Sequence, residues 1–216
     1  MQKFLSFLAA AALAAFVGAA GAATLQPGRD YEPVNPPQPT ETKGKIEVIE
    51  FFSYACPHCA QFEPLLARWA KALPKDVVFR RVPVTFGRAQ WTVLARTYYA
   101  LEAMNEVDRT HGAVFEAVHG ERAIHMETAP KTESTMIDWL AGKGVDRKKF
   151  TDLYNSFTVQ SQAGRATQMT SAYGIQGVPS LVVAGKYRTP DGFQGGHEEL
   201  LRLADALVAK ARSEQK

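Results

Sequence analysis

The hydrophobic period of the chain changes several times, and each change predicts an element. Residues 46–52, Ile-Glu-Val-Ile-Glu-Phe-Phe, form a nearly continuous apolar run of strand length, as expected of a central strand buried on both faces. Residues 77–84 predict a second central strand. Between the two, Phe62, Leu65, Leu66, Trp69 and Leu73 recur at helical spacing, so a helix is expected over 56–73, kinked at Pro64. From residue 88 to about 173 the pattern is helical without clear strands. Helices are expected over 89–105, 109–119 and 133–143, and a broken one over 146–173, with Gly142 and Gly144 marking a turn. Trp91, Tyr98, Tyr99 and Phe115 stand at helical spacing within this block and are assigned to the core. Strand character returns at 180–184 and 186–189 around a hairpin turn at Gly185. A final amphipathic helix over 197–211 buries Leu200, Ala204, Leu207 and Val208.

This order predicts an α/β fold in which one domain, residues 45–87 and 174–212, is divided by an all-helical insertion, residues 88–173. A hairpin with one helix is too small to bury a core alone, so the C-terminal segment must complete the N-terminal sheet. Residues 23–44 are polar and rich in proline (Pro27, Pro33, Pro36, Pro37, Pro39). They predict an extended, poorly regular arm with an edge strand at 30–34, where proline is tolerated. Residues 1–22 have the build of a cleavable signal peptide: Lys3, an apolar stretch over 4–17, then Ala20-Gly21-Ala22, with Gly21-Ala22-Ala23 as a register alternative. Cleavage before Ala23 or Thr24 is expected, and with it export to an oxidising compartment. The apolar stretch is short for a membrane span and no longer one follows it. Twenty-five Lys and Arg against 22 Asp and Glu leave a net charge of +3 with no basic block, which gives nucleic acid no footprint to bind.

The chemistry concentrates in Cys56-Pro57-His58-Cys59, which holds both cysteines of the chain. A C-x-x-C pair between a strand and a helix is a thioredoxin-like redox signature. Cys56 falls at the helix start, where unpaired N–H groups and the helix dipole favour a thiolate; it is the expected nucleophile. Pro57 suits the first helical turn, since its missing N–H costs nothing there. His58 can set a positive charge or a hydrogen bond beside the thiolate. The pair could instead be half a zinc site, but structural zinc takes four ligands, and His111, His119, His125 and His197 supply no second paired motif; these four are expected to be surface or cap residues. No metal is expected. A purely structural disulfide over two residues would close little chain. Glu50 is an anomaly within its apolar run, because an ionised carboxylate is costly to bury. Strict alternation points it to solvent.

Several segments together resemble the DsbA family of bacterial periplasmic thiol–disulfide oxidoreductases. They are Glu50-Phe51-Phe52-Ser53-Tyr54 leading into Cys56-Pro57-His58-Cys59; Gln61-Phe62-Glu63; Tyr154-Asn155-Ser156-Phe157; and Gly177-Val178-Pro179-Ser180 followed by Gly185-Lys186-Tyr187. The resemblance implies a thioredoxin-like fold with an inserted helical domain, a low-pKa Cys56 and a strongly oxidising disulfide, with no further cofactor. Cys59 becomes the buried resolving thiol. Val178-Pro179 becomes a cis-proline loop against the disulfide, leaving Val178 backbone groups to pair with an extended substrate segment; from the residues alone, an ordinary trans proline is the simpler expectation. Glu50 becomes a buried acid below the disulfide and a proton relay for Cys59. Arg81 stands where the family pattern has Lys, and since arginine does not release its proton, its role there is electrostatic.

The resemblance further implies a monomeric periplasmic oxidase that donates its disulfide to reduced exported proteins and is reoxidised by a quinone-linked membrane protein resembling DsbB. Its rivals are a disulfide isomerase or reductase, and a periplasmic metal-binding or chaperone module using Cys56, His58 and Cys59 as soft ligands. DsbC-type isomerases carry a dimerisation domain ahead of the catalytic one and tend to have Thr before the cis proline. Here a short arm precedes Cys56, and Val178 precedes Pro179.

Overall fold

A computed structural model describes residues 25–215. The expected signal peptide and its cleavage point lie outside them. Five strands, β1 (Glu32–Pro33), β2 (Ile46–Phe52), β3 (Val77–Pro83), β4 (Ser180–Val183) and β5 (Tyr187–Arg188), form one mixed sheet in the order β1-β5-β4-β2-β3. β2 is central and every residue of it is buried. It pairs parallel with β3, setting Glu50 opposite Arg81, and antiparallel with β4, setting Phe51 opposite Ser180. The parallel pair needs a crossover, which is α1 (Pro57–Lys71). This helix runs unbroken through Pro64, which faces solvent.

Five helices lie between β3 and β4: α2 (Ala89–Ala103), α3 (Val107–His119), α4 (Ala129–Gly142), α5 (Arg147–Tyr154) and α6 (Phe157–Ala172). α4 starts ahead of the expected position because Thr128 caps it, accepting from the Lys131 N–H, and a proline sits in its first turn. The expected break in 146–173 falls at Asn155 and Ser156, where the Ser156 hydroxyl accepts from the Val159 N–H and donates to the Leu153 carbonyl. α7 (Gly196–Glu214) closes the chain. α1 and α7 cover one face of the sheet through Phe62, Leu66, Leu181, Leu200 and Ala204. Ile49, Phe51 and Val82 point the other way, into the core shared with Leu94, Leu101, Val159 and Ala166 of the inserted helices. Tyr98, Tyr99 and Phe115 are buried there and Trp91 partly so. Among the described residues, no helix is long and apolar enough to cross a membrane.

The proline-rich arm is more regular than its composition suggests. β1 is shorter than the expected 30–34, but the docking continues beyond it: the Val34 N–H donates to Lys186 O at 2.8 Å and the Gln38 N–H to Gly185 O at 2.9 Å. The Asn35–Pro36 and Val178–Pro179 bonds are both cis. Gly185 turns the hairpin with φ +66°, and a Cβ there would lie 2.1 Å from Gln38 O. A side chain at 185 would therefore undo both the turn and the arm's seat.

Candidate active site

β2 delivers the chain to the site end of the sheet, and a short turn connects it to α1. The Cys56 N–H closes that turn on Ser53 O at 3.0 Å. Cys56 caps α1 with extended backbone (φ −91°, ψ 117°) and Pro57 occupies the first turn, so the sulfur lies over the unpaired N–H groups of the helix start. Both cysteines are thiols. Cys56 is 7% exposed and Cys59 fully buried. The Cys56 sulfur lies 3.3 Å from the Val178 carbonyl oxygen, a hydrogen bond in the thiol form, so the cis-proline loop lies across this sulfur. Pro57 and His58 are exposed at the rim.

The two thiols have opposite acidities. Cys56 is lowered from 9.0 to about 6. A hydrogen bond from the Cys59 thiol is the main cause, opposed by burial and aided by the N–H groups of Cys59 and His58, with the charge of the His58 ring the smallest contribution. Cys59 is pushed well above the ordinary thiol range by burial and by its bond to Cys56. One sulfur is therefore a thiolate near neutral pH, and its partner keeps its proton.

Beneath the thiols lies a buried charged network. Glu50 is 1% exposed, which corrects the alternation argument that sent it to solvent. Its carboxylate meets Arg81 Nε at 3.1 Å, and Arg81 Nη2 also bonds both oxygens of Glu63 on α1, at 2.9 and 3.0 Å. Burial lifts Glu50 to about 8 in spite of Arg81. Burial also pushes Glu63 upward, yet His111 and Arg81 beside it hold its carboxyl below the ordinary value. Glu50, Glu63 and His111 bring donor atoms within 4.8 Å of one another, a spacing a metal could use. Arg81 already supplies positive charge between the two carboxylates.

His111 and His119 depart from the expected surface or cap role. His111 is 3% exposed, with Nδ1 2.7 Å from the Tyr54 hydroxyl and Nε2 3.3 Å from Glu63 Oε2, the latter off line for a hydrogen bond. His119 is half-buried and its Nε2 donates to the Tyr54 carbonyl at 2.8 Å. The signal was in the sequence: Val107, His111, Val114, Phe115 and Val118 fall on one helical stripe, as Glu63 does with Cys59, Phe62 and Leu66. His125 is exposed, as expected, and His197 lies half-buried against the Phe62 ring.

Comparisons with known proteins converge on one family. Residues 47–208 match the DSBA-like thioredoxin domain. The chain is 46% identical over 189 residues to the thiol:disulfide interchange protein DsbA of Pseudomonas aeruginosa, covering 88% of this chain and 87% of that protein. It is 42% identical to the protein of the same name from Bordetella parapertussis, covering 97% of each. The crystal structure of Pseudomonas aeruginosa DsbA superposes with a TM-score of 0.79 at 45% identity, over 87% of this chain and 95% of that one. The Xylella fastidiosa oxidoreductase DsbA superposes with 0.80 at 32% identity, over 88% and 98%. A thioredoxin-like sheet, two thiols of opposite acidity at a helix start and this likeness along most of the chain agree: the chain belongs to the DsbA family and is a thiol:disulfide oxidoreductase.

Proposed function

We propose that this protein is a periplasmic oxidase that passes its Cys56–Cys59 disulfide to reduced exported proteins. The observation that carries the reading is the asymmetry of the pair. A Cys56 thiolate stabilised by the fold stabilises the dithiol state, and that makes the disulfide a ready electron acceptor. A substrate thiolate attacks Cys56 Sγ, the Cys56–Cys59 bond breaks, and Cys59 leaves as a thiolate that takes up a proton. A second substrate thiolate then attacks the substrate sulfur of the mixed disulfide. Cys56 leaves as a stable thiolate, and the substrate dithiol has lost two electrons to the protein's former disulfide.

Glu50 is the group we assign to the proton. With its pKa near 8, it carries a proton at neutral pH and gives it to the Cys59 thiolate as the disulfide opens. In reoxidation the direction reverses: with Cys56 held in a mixed disulfide by the membrane reoxidant, Cys59 returns its proton to Glu50 and attacks Cys56 Sγ, and the reoxidant's sulfur leaves as a thiolate with the two electrons. The Val178 carbonyl, 3.3 Å from the Cys56 sulfur, and the Pro179 turn form the rail on which an extended substrate segment lies. Residues 88–173 act as an insertion into the domain formed by 45–87 and 174–212. The membrane reoxidant, resembling DsbB, would meet the same rim of Pro57, His58 and the cis-proline loop. An isomerase is less well supported, because a stabilised Cys56 thiolate favours accepting electrons.

Oxidation of a reduced test protein checks the reading. Cys56→Ser abolishes it, and Cys59→Ser accumulates mixed disulfides through Cys56. Oxidation by the Cys56→Ser protein, or a disulfide form more stable to denaturant than the dithiol form, overturns it.

A further inference from the structure

α3 belongs to the inserted helices, yet it holds the active-site turn at two points. Tyr54 lies two residues before Cys56. Its hydroxyl meets His111 Nδ1 at 2.7 Å and its carbonyl accepts from His119 Nε2 at 2.8 Å. The two histidines are eight residues apart, a little over two helical turns, so both side chains reach the same tyrosine from one helix face. The His111 ring is packed edge-on among Phe52, Tyr54 and Phe115, with centroids 5.1, 5.1 and 5.2 Å away, which leaves it little freedom to turn.

The neighbours choose its tautomer. Nε2 faces the Glu63 carboxylate at 3.3 Å. A bare ring nitrogen against a carboxylate oxygen would repel, so the proton of the neutral ring sits on Nε2 and the Tyr54 hydroxyl donates to Nδ1. The charged or titratable groups around the ring are Tyr54 from the turn, Glu50 from β2, Glu63 from α1, Arg81 from β3, Tyr98 from α2 and Asp108 from its own helix.

We propose that His111 and His119 are positioning residues for thiol–disulfide exchange: they clamp Tyr54 by both its hydroxyl and its carbonyl, and so hold the Ser53–Cys56 turn that aims the Cys56 sulfur at the helix start and the cis-proline loop. The inserted helices are thereby part of the catalytic geometry. The turn needs such an external hold. Its own closures are the Cys56 N–H to Ser53 O bond and the Ala55 N–H to Ser53 Oγ bond, both accepted by Ser53, and neither fixes Tyr54. An ångström of drift at the sulfur costs both the N–H groups that favour the thiolate and the alignment for attack.

The proposal rests on the exchange reaction assigned above, and paired substitutions separate the two. An asparagine at 111 places its amide where Nδ1 was and keeps the Tyr54 bond; a glutamine there reaches towards Glu63 instead. At 119 the glutamine keeps the bond, because its amide falls where Nε2 was, and the asparagine loses it. His111→Gln, His119→Asn and Tyr54→Phe are expected to slow exchange with a dithiol peptide about tenfold and to raise the midpoint of the Cys56 thiolate absorbance titration by about half a pH unit. His111→Asn and His119→Gln recover most of both losses. Equal exchange rates and titration midpoints in all five variants and the wild type overturn the clamp, as does a loss confined to the denaturant midpoint. If the wild-type protein itself fails to oxidise the peptide, the assigned direction of exchange falls, and the titration midpoints still decide the clamp.

Discussion

Two glutamates of β2, three residues apart, point to opposite faces of the sheet, and each is 1% exposed. Glu47 meets Arg80, whose Nε lies 3.1 Å from one oxygen and whose Nη2 donates to the other at 3.4 Å, and the Glu41 N–H adds a bond at 3.2 Å; Arg80 Nη1 also meets the exposed Glu41 carboxylate at 3.5 Å. Glu50 has Arg81, but Arg81 bonds both oxygens of Glu63 as well. One guanidinium thus serves two carboxylates, Glu50 fully buried and Glu63 nearly so. The difference lies in the second carboxylate that each arginine meets. Arg80's other partner, Glu41, is open to solvent, whereas Arg81's, Glu63, is buried beside Glu50. Burial first, and the nearby Glu63 charge after it, raise Glu50 to about 8 in spite of Arg81.

The largest effect is expected from removing the cation. Arg81→Leu leaves Glu50 and Glu63 buried with no guanidinium between them, and breaking a buried pair in this way costs about 3–5 kcal/mol. Arg80→Leu strands the Glu47 carboxylate where the lost arginine side chain was 23% exposed, and water can reach in, so about 1–2 kcal/mol is expected. Denaturant unfolding of the two variants measures both. A smaller loss at 81 than at 80 would mean that Glu50 and Glu63 do not depend on the shared charge.

The next test follows Glu50 by pH. Glu50 is raised from 4.5 to about 8 by burial, so between these values the folded protein holds a proton that the unfolded chain has released. Stability from this group is fully present below pH 4.5 and is lost as pH rises through 8. Glu50→Gln cannot titrate. The stability of the wild type minus that of Glu50→Gln therefore falls by on the order of 3 kcal/mol between pH 5 and pH 9, and taking the difference within the dithiol form cancels Cys56. The same variant slows closure of Cys59 onto Cys56 in reoxidation. A flat difference curve would remove Glu50 as the proton holder.

Much of this arrangement was legible before any coordinates. The strand at 46–52 declares itself because full burial leaves no polar alternation, the strand at 77–84 by its apolar run, and the C-x-x-C spacing sets Cys56 at a helix start. Periodicity failed where the reason for a residue lay on another element. Glu50 was sent to solvent because a strand's own pattern carries no record of Arg81 on its neighbour. Residue type alone makes His111 a surface or cap residue, whereas its stripe with Val114 and Phe115 runs along the buried face of the helix. The arm looked irregular because its prolines hide a docking made by backbone groups, Val34 and Gln38 on the hairpin.

His58 is expected to give the smallest effect, for the reason that separates Glu50 from Glu47. A charge counts according to how far water is kept from it and how few partners share the task. The His58 ring is exposed at the rim, where solvent screens its field, and it is the least of the contributions that bring Cys56 to about 6, behind the Cys59 thiol and the backbone N–H groups of α1. His58→Ala keeps its N–H and the helix start. The thiolate absorbance midpoint of Cys56 is therefore expected to rise by about half a pH unit, and the equilibrium with glutathione to shift by about 15 mV towards a weaker oxidant. The sign follows from linkage: a weaker thiolate stabilises the dithiol state less, so the disulfide accepts electrons less readily. A rise of two pH units would show that the exposed ring outweighs the buried thiol and the helix start, and the ranking by burial would fail at the residue where it is most easily tested.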